Sequence, residues 1–176
     1  ILNGIDCEPF ITADYSILIE HADEVIRGLK YFLKASLANK GIIAIEDNKP
    51  RAIELFNQLT ADDPNISVVV CPEKYPQGSE RHLIYAVTGR VVPERALPSA
   101  VGVIVDNVAT AMQAALAVKD DLPCYERIVT VSGNAVHKPG NYRVRIGTLY
   151  SHLVEQVAQG LKNDPARIIS GGPMMG

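Results

Sequence analysis

A chain of 176 residues with 17 Lys+Arg against 20 Asp+Glu carries a formal net charge of −3. With 47% hydrophobic and 21% charged residues it is neither disordered nor fibrous, and its length suits one domain or a medium domain plus a small one. The charge balance lacks the basic excess of a nucleic-acid-binding surface, no apolar run reaches the roughly 18 residues of a bilayer span, and an absence of Trp with only 3 Phe leaves no base-stacking platform.

Taken in chain order, Leu18, Ala22, Val25, Leu29 and Phe32 recur at helical spacing and predict one helix from about Thr12 to Ala38, with Thr12 or Asp14 as its cap. Gly41 to Ile45 is a short apolar run of the kind that forms a strand buried on both faces. Pro50 suits the first turn of a helix carried by Ile53, Phe56 and Leu59, and the β-branched Ile66 to Val70 is a strand. Ser79 to Thr88 reads as a helix ending at Gly89, Val101 to Val105 as another buried strand, and Asn107 as the cap of a helix through Val108, Met112, Ala115 and Leu116. This alternation with short connections predicts an α/β layered domain with a largely parallel sheet over residues 1–124.

The character changes after Pro123. Arg127 to Val131 and Tyr142 to Ile146 alternate as strands around the Pro139-Gly140-Asn141 turn, a helix follows Thr148, and Ala166 to Ser170 is expected as a third strand. Residues 125–176 therefore read as a small α+β domain of β-grasp type. The three cysteines, Cys7, Cys71 and Cys124, have no metal-site spacing and no cluster-binding arrangement. His21, His82, His137 and His152 are isolated, and neither a GxSxG elbow nor a phosphate-binding P-loop occurs.

In an open α/β sheet, ligands bind beyond the carboxyl ends of the strands. Four polar stretches occupy those positions: Asn3 to Pro9, Glu46 to Pro50, Tyr75 to Glu80, and Asp106 to Thr110. Taken singly, Asn107 is a helix cap, Glu46 a solvated loop acid, Tyr75 a half-buried rim residue and Lys49 an exposed lysine. Acids and amides repeated at every switch into a helix instead suggest one shared pocket built for recognition, with little acid–base chemistry. Amides and hydroxyls such as Asn107 and Thr110 suit a ribityl chain and a phosphate at a helix N-terminus, and Glu80 suits ribose hydroxyls.

These stretches in this order, with Phe10 to Asp14, Lys74 to Gly78, Pro139 to Arg145 and the closing Ser170 to Gly176, resemble the C subunit of the Rnf-type electron-transport complex. More distantly they resemble the flavin-bearing NADH-binding subunit of respiratory complex I. The resemblance implies an FMN and NADH site in the first domain, a soluble-ligand-binding β-grasp (SLBB) domain after it, and 4Fe-4S clusters only in a part beyond Gly176. Position by position it puts Asn3, Asp6 and Glu8 on the acidic flavin loop. Tyr75, Gly78 and Glu80 fall on the nucleotide-binding stretch, and Asn107 and Thr110 near the flavin phosphate; Glu46 completes the candidate set. Ile5, Ser79 and Asp106 depart from the complex I pattern, which weakens the nicotinamide side more than the flavin side.

The resemblance further implies FMN-dependent electron exchange between NADH and iron–sulfur carriers. The partners would be other members of an electron-transport complex or a ferredoxin-like carrier, in the cytoplasm or on the cytoplasmic face of the cell membrane. The alternatives are a soluble partner of a proline or cobalamin reductase, or a non-catalytic binding module. Because the chain opens on Ile1 and closes on a turn-rich segment, it is expected to be an excised piece. The flavin's glycine-rich loop would then precede Ile1, so this stretch alone is expected to purify colourless and inactive.

Overall fold

The computed structural model describes residues 1–176, which divide into two compact units: Ile1–Cys7 with Asp14–Pro123, and Glu8–Ala13 with Cys124–Gly176. No helix is long and apolar enough to cross a membrane.

In the first unit β1 (Leu2–Gly4), β2 (Gly41–Glu46), β3 (Ile66–Cys71) and β4 (Asp106–Asn107) form one sheet in the order β3-β2-β1-β4. Every pairing in it is parallel; Leu2 stands beside Ile43 on one side and Asp106 on the other. Five helices accompany the strands: α1 (Ala13–Glu20, its first residue assigned to the other unit), α2 (Ala22–Ser36), α3 (Pro50–Thr60), α4 (Glu80–Thr88) and α5 (Val108–Asp120). Ile43, Ala44 and Ile45 are fully buried, as expected of a central parallel strand covered on both faces. Phe56 of α3, Ile17 and Leu18 of α1, Val25 of α2, and Val108 and Ala111 of α5 bury their side chains completely or nearly so. Pro50 opens α3, and α4 ends where Gly89, at φ 70°, donates its N–H to the Tyr85 carbonyl.

Three expectations are corrected. The helix foreseen from Thr12 to Ala38 is two helices broken at His21, whose φ of −131° and ψ of 31° leave the helical region. Neither Thr12 nor Asp14 caps α1; the Asp6 carboxylate accepts the N–H of Tyr15 in its first turn. Val101 to Val105 is not a ladder strand. Pro98–Val101 is a 3-10 turn closed by Gly102 at φ 68°, and the Arg90 guanidinium holds the Val101 carbonyl at 2.7 Å. Val103 still buries itself against Ile84 and Val92, so the apolar run satisfies a core demand without sheet pairing.

In the second unit β5 (Glu126–Val131) and β6 (Gly140–Arg145) pair antiparallel, from Glu126 opposite Arg145 to Val131 opposite Gly140. A single helical stretch, α6 (Tyr150–His152) continuing as a π turn over Leu153–Val157, packs Leu153 and Ala158 against Val131 and Val136. The third strand expected at Ala166 to Ser170 does not form. Ile168 is 73% exposed and the run has no strand partner; Leu161 instead makes a lone bridge with Val136. Segment Glu8–Ala13 is held in this unit by Thr12. Its N–H donates to Thr130 Oγ1 at 3.1 Å, and its carbonyl accepts from Asn141 Nδ2 at 3.1 Å.

Candidate functional site

The carboxyl ends of four parallel strands lie on one edge of the sheet, and the chain order reverses direction at β1, which has β2 on one side and β4 on the other. Such a divide is where open α/β sheets bind ligands. The polar side chains of the first unit converge there through direct contacts. Asn3, on β1, donates from Nδ2 to the Gly78 carbonyl at 2.8 Å while its Oδ1 accepts from the Ile5 N–H at 3.1 Å. The β3–α4 loop is thereby tied to β1. A methyl group at Gly78 would stand 3.1 Å from Cys7 Sγ and 3.2 Å from the Ile5 carbonyl, so glycine lets the two loops meet. Ile5 itself turns into the core with Ala44, Cys71 and Leu83.

Asp6 follows β1. Its Oδ2 accepts from Tyr15 N–H at 2.8 Å, and burial raises its carboxyl above the usual range despite the opposing pull of that bond, of the Asp14 backbone and of Lys49. Across the β1–β4 divide, Asn107 donates from Nδ2 to Asp14 Oδ2 at 2.6 Å, and its Oδ1 caps α5 by accepting from Ala109 N–H at 2.7 Å. Burial, with the negative charge of Asp6 added to it, pushes Asp14 up to about 7 against the stabilising Asn107 bond.

Glu46 ends β2 with its side chain 1% exposed, far from the solvated acid that its loop position suggests. Neither oxygen has a well-formed hydrogen bond, although the Asp6 amide lies close enough to favour the ionised form, and Lys49 Nζ is 3.9 Å from Oε2. Desolvation dominates and raises the Glu46 carboxyl, and Asp6 and Glu73 add to the rise against the pull of Lys49. Lys49 is not an exposed lysine either: its side chain is 17% exposed and its ammonium sits 5.4 Å over the Tyr15 ring.

Asn3, Asp6, Gly78 and Asn107 are thus linked, directly or through Tyr15 and Asp14, and Glu46 joins them electrostatically through Asp6. Tyr75, Glu80 and Thr110 lie on the same strand-end loops and first helical turns but point polar groups outward; Tyr75 is 39% exposed. Glu8 belongs to the second unit. There its Oε2 accepts from Met174 N–H at 3.2 Å, and a side chain on Gly172 would meet its carboxyl carbon at 2.8 Å. Four participants escaped the reading of the sequence as site residues: Asp14, Tyr15, Lys49, and Gln77, whose buried Nε2 has no partner. The available signal for Asp14 was an acid in the first turn of the helix that follows β1.

A family model described as the Nuo51 FMN-binding domain matches residues 1–116, and one for the SLBB domain matches residues 128–176. The chain belongs to the Nuo51 FMN-binding domain family.

Among curated relatives of this Nuo51-type chain, the C subunit of the proton-translocating ferredoxin:NAD(+) oxidoreductase complex of Clostridium ljungdahlii is 44% identical over the whole chain, which spans 38% of that protein. The C subunit of the Na(+)-translocating ferredoxin:NAD(+) oxidoreductase complex of Acetobacterium woodii is 43% identical, again over the whole chain and 40% of the relative. The C subunit of the ion-translocating oxidoreductase complex of Pasteurella multocida is 42% identical, with 21% of its length matched. The Nuo51-type chain therefore spans well under half of these relatives. An NAD+-reducing [NiFe]-hydrogenase crystal structure shares the fold at a TM-score of 0.65, with 21% identity over 88% of this chain and 31% of that one. The expected parallel α/β layer followed by an SLBB domain is borne out.

The residues present fit a flavin mononucleotide. Glu46 offers two buried oxygens that lack donors, which ribityl hydroxyls would supply, and Gln77 offers a buried donor that lacks an acceptor. The fitting place for the phosphate is the N-terminal turn of the 13-residue α5, where the helix dipole favours an anion.

Proposed function

We propose that this chain supplies the strand-end half of an FMN site in a protein of the Rnf C-subunit type, which exchanges electrons between NADH and iron–sulfur carriers. The observation carrying the reading is the Asn3–Gly78 and Asp6–Tyr15/Asp14–Asn107 constellation across the β1–β4 divide, with the unsatisfied Glu46 beside it. Bound flavin would supply the chemistry that joins a two-electron hydride donor to one-electron carriers. The chain's own residues orient and shield it: Asn107 and Thr110 at α5 receive the phosphate end, and Asp6 and Glu46 accept from ribityl hydroxyls. Tyr75, exposed on the β3–α4 loop, and Glu80, exposed at the start of α4, meet the nicotinamide nucleotide.

The names of the relatives favour an ion-translocating membrane complex over a soluble reductase partner. Partners are then other members of that complex or a ferredoxin-like carrier, with the protein held peripherally on the cytoplasmic face. The 4Fe-4S clusters would lie outside residues 1–176.

The test is flavin stoichiometry and NADH oxidation in the intact protein, with Asn107→Ala and Glu80→Ala variants. Stoichiometric flavin that Asn107→Ala lowers, and a raised KM for NADH in Glu80→Ala, is the expected outcome. An intact native protein that holds no flavin and does not oxidise NADH would favour a binding module that has lost its redox role, and flavin content and NADH oxidation unchanged in both variants would remove Asn107 and Glu80 from the site.

A further inference from the structure

The Asn107 carboxamide has one carbonyl and two N–H donors. Its Oδ1 accepts from Ala109 N–H at 2.7 Å, and its Nδ2 donates to Asp14 Oδ2 at 2.6 Å. A backbone N–H can only donate, and an ionised carboxylate can only accept, so both neighbours demand the same orientation. Turned over about Cβ–Cγ, the amide would set donor against donor at Ala109 and acceptor against acceptor at Asp14. One N–H of Nδ2 is left over in the observed orientation.

We propose that Asp14 is a positioning residue of the flavin site, fixing the Asn107 carboxamide so that its remaining N–H faces the ligand as a donor. This rests on the flavin reading of the β1–β4 divide. Asp14 touches no reacting atom in this scheme; it acts through Asn107.

The device is proton-sensitive. The charged group facing Asp14 is Asp6 from the β1–α1 loop, and Asp6 is faced in turn by Lys49 from the β2–α3 loop and by Glu46 at the end of β2. Burial beside Asp6 brings Asp14 to about 7, so it changes state near neutrality. A protonated Asp14 offers Nδ2 only a weaker, neutral acceptor and can itself donate, so Ala109 alone then demands one orientation of the amide.

Two measurements on the intact protein test this across pH 5.5 to 8.5: the FMN dissociation constant by fluorescence quenching, and the Asn107 side-chain amide resonances by 15N NMR. In the native protein the amide resonances shift with a midpoint near 7. FMN affinity falls about ten-fold on the acid side, the size of one charge-assisted bond. Asp14→Asn keeps the shape and an acceptor oxygen but cannot titrate, so it removes the midpoint near 7 from the amide resonances and from FMN affinity, leaving only the phosphate's own ionisation at about 6, which native protein and variant share. FMN binding whose pH profile is the same in Asp14→Asn overturns the positioning role alone, as do Asn107 resonances that do not move. Absence of FMN binding at every pH overturns the flavin reading instead.

Discussion

A methyl group on Gly28 would stand 1.9 Å from the carbonyl oxygen of Ala111, so α2 and α5 touch backbone to backbone at this point. Real Cβ atoms do not approach so closely, and the obstacle is main chain that cannot swing aside. Gly28→Ala gains roughly 1 kcal/mol of helix propensity but must push two core helices apart, which costs at least ~3 kcal/mol. Its urea midpoint should fall well below that of the native protein. Gly89→Ala has open space around it and a φ of 70°, so it should lose only about 1 kcal/mol from the left-handed backbone.

Stability should fall as pH rises toward neutrality. Asp6, Asp14 and Glu46 all have raised carboxyls, so the folded chain keeps protons that the unfolded chain has released. The contribution is complete below the ordinary carboxylate value near 3.8 and is lost as Asp14 passes about 7. Asp63, held down by Lys30, works in the opposite sense but lies at the solvent. Thermal scans should give a higher Tm at pH 5 than at pH 8. Asp14→Asn and Glu46→Gln should each raise the pH 8 value by ~1–2 kcal/mol of stability and flatten the profile.

Asn107 separates its two roles by substitution. Asn107→Ala removes the α5 cap and should cost ~1 kcal/mol at any pH. Asn107→Asp keeps an acceptor for Ala109 but sets a second carboxylate against Asp14. Its destabilisation should be small at pH 5 and should grow by ~2 kcal/mol at pH 8. Equal losses at both pH values would show that Asp14 does not sense position 107.

In the second unit Asn141 is the clasp on segment Glu8–Ala13. Its Oδ1 accepts from Thr130 Oγ1 at 2.7 Å, and its Nδ2 reaches the Thr12 carbonyl and hydroxyl at 3.1 and 3.0 Å. Asn141→Ala should cost ~1–2 kcal/mol and open this segment to limited proteolysis, read by mass spectrometry of the cleaved chain. Thr12→Val should do the same more weakly, since the Thr12 N–H and carbonyl bonds survive.

The elements that follow from local chemistry were legible in the sequence. Pro50 opening α3, Gly89 closing α4, Asn107 capping α5, and the β-branched strand at Ile66 each rest on one or two residues and their neighbours. What escaped depends on partners far along the chain. The run at Val101 has the composition of a strand, yet a guanidinium from Arg90 and a turn at Gly102 claim its backbone. Ile168 and Ile169 have strand composition, yet they join neither edge of the β5–β6 pair and stay exposed. The break at His21 has no proline or glycine to announce it. At the site, the residue types were readable but their burial was not: Glu46 and Lys49 are chemically loop residues, and only the folded sheet encloses them. Asp14 gained its place because Asn107, 93 positions away, comes to meet it.

Three peptide bonds join the two units: Cys7–Glu8, Ala13–Asp14 and Pro123–Cys124. The SLBB region is consequently not a cassette that recombination could lift out by a single cut near Pro123. A copy begun at Cys124 would abandon Thr12 and leave Thr130 and Asn141 facing water where they now hold a strap. A transplant that preserves this clasp has to carry Glu8–Ala13 along with the stretch from Cys124 onward.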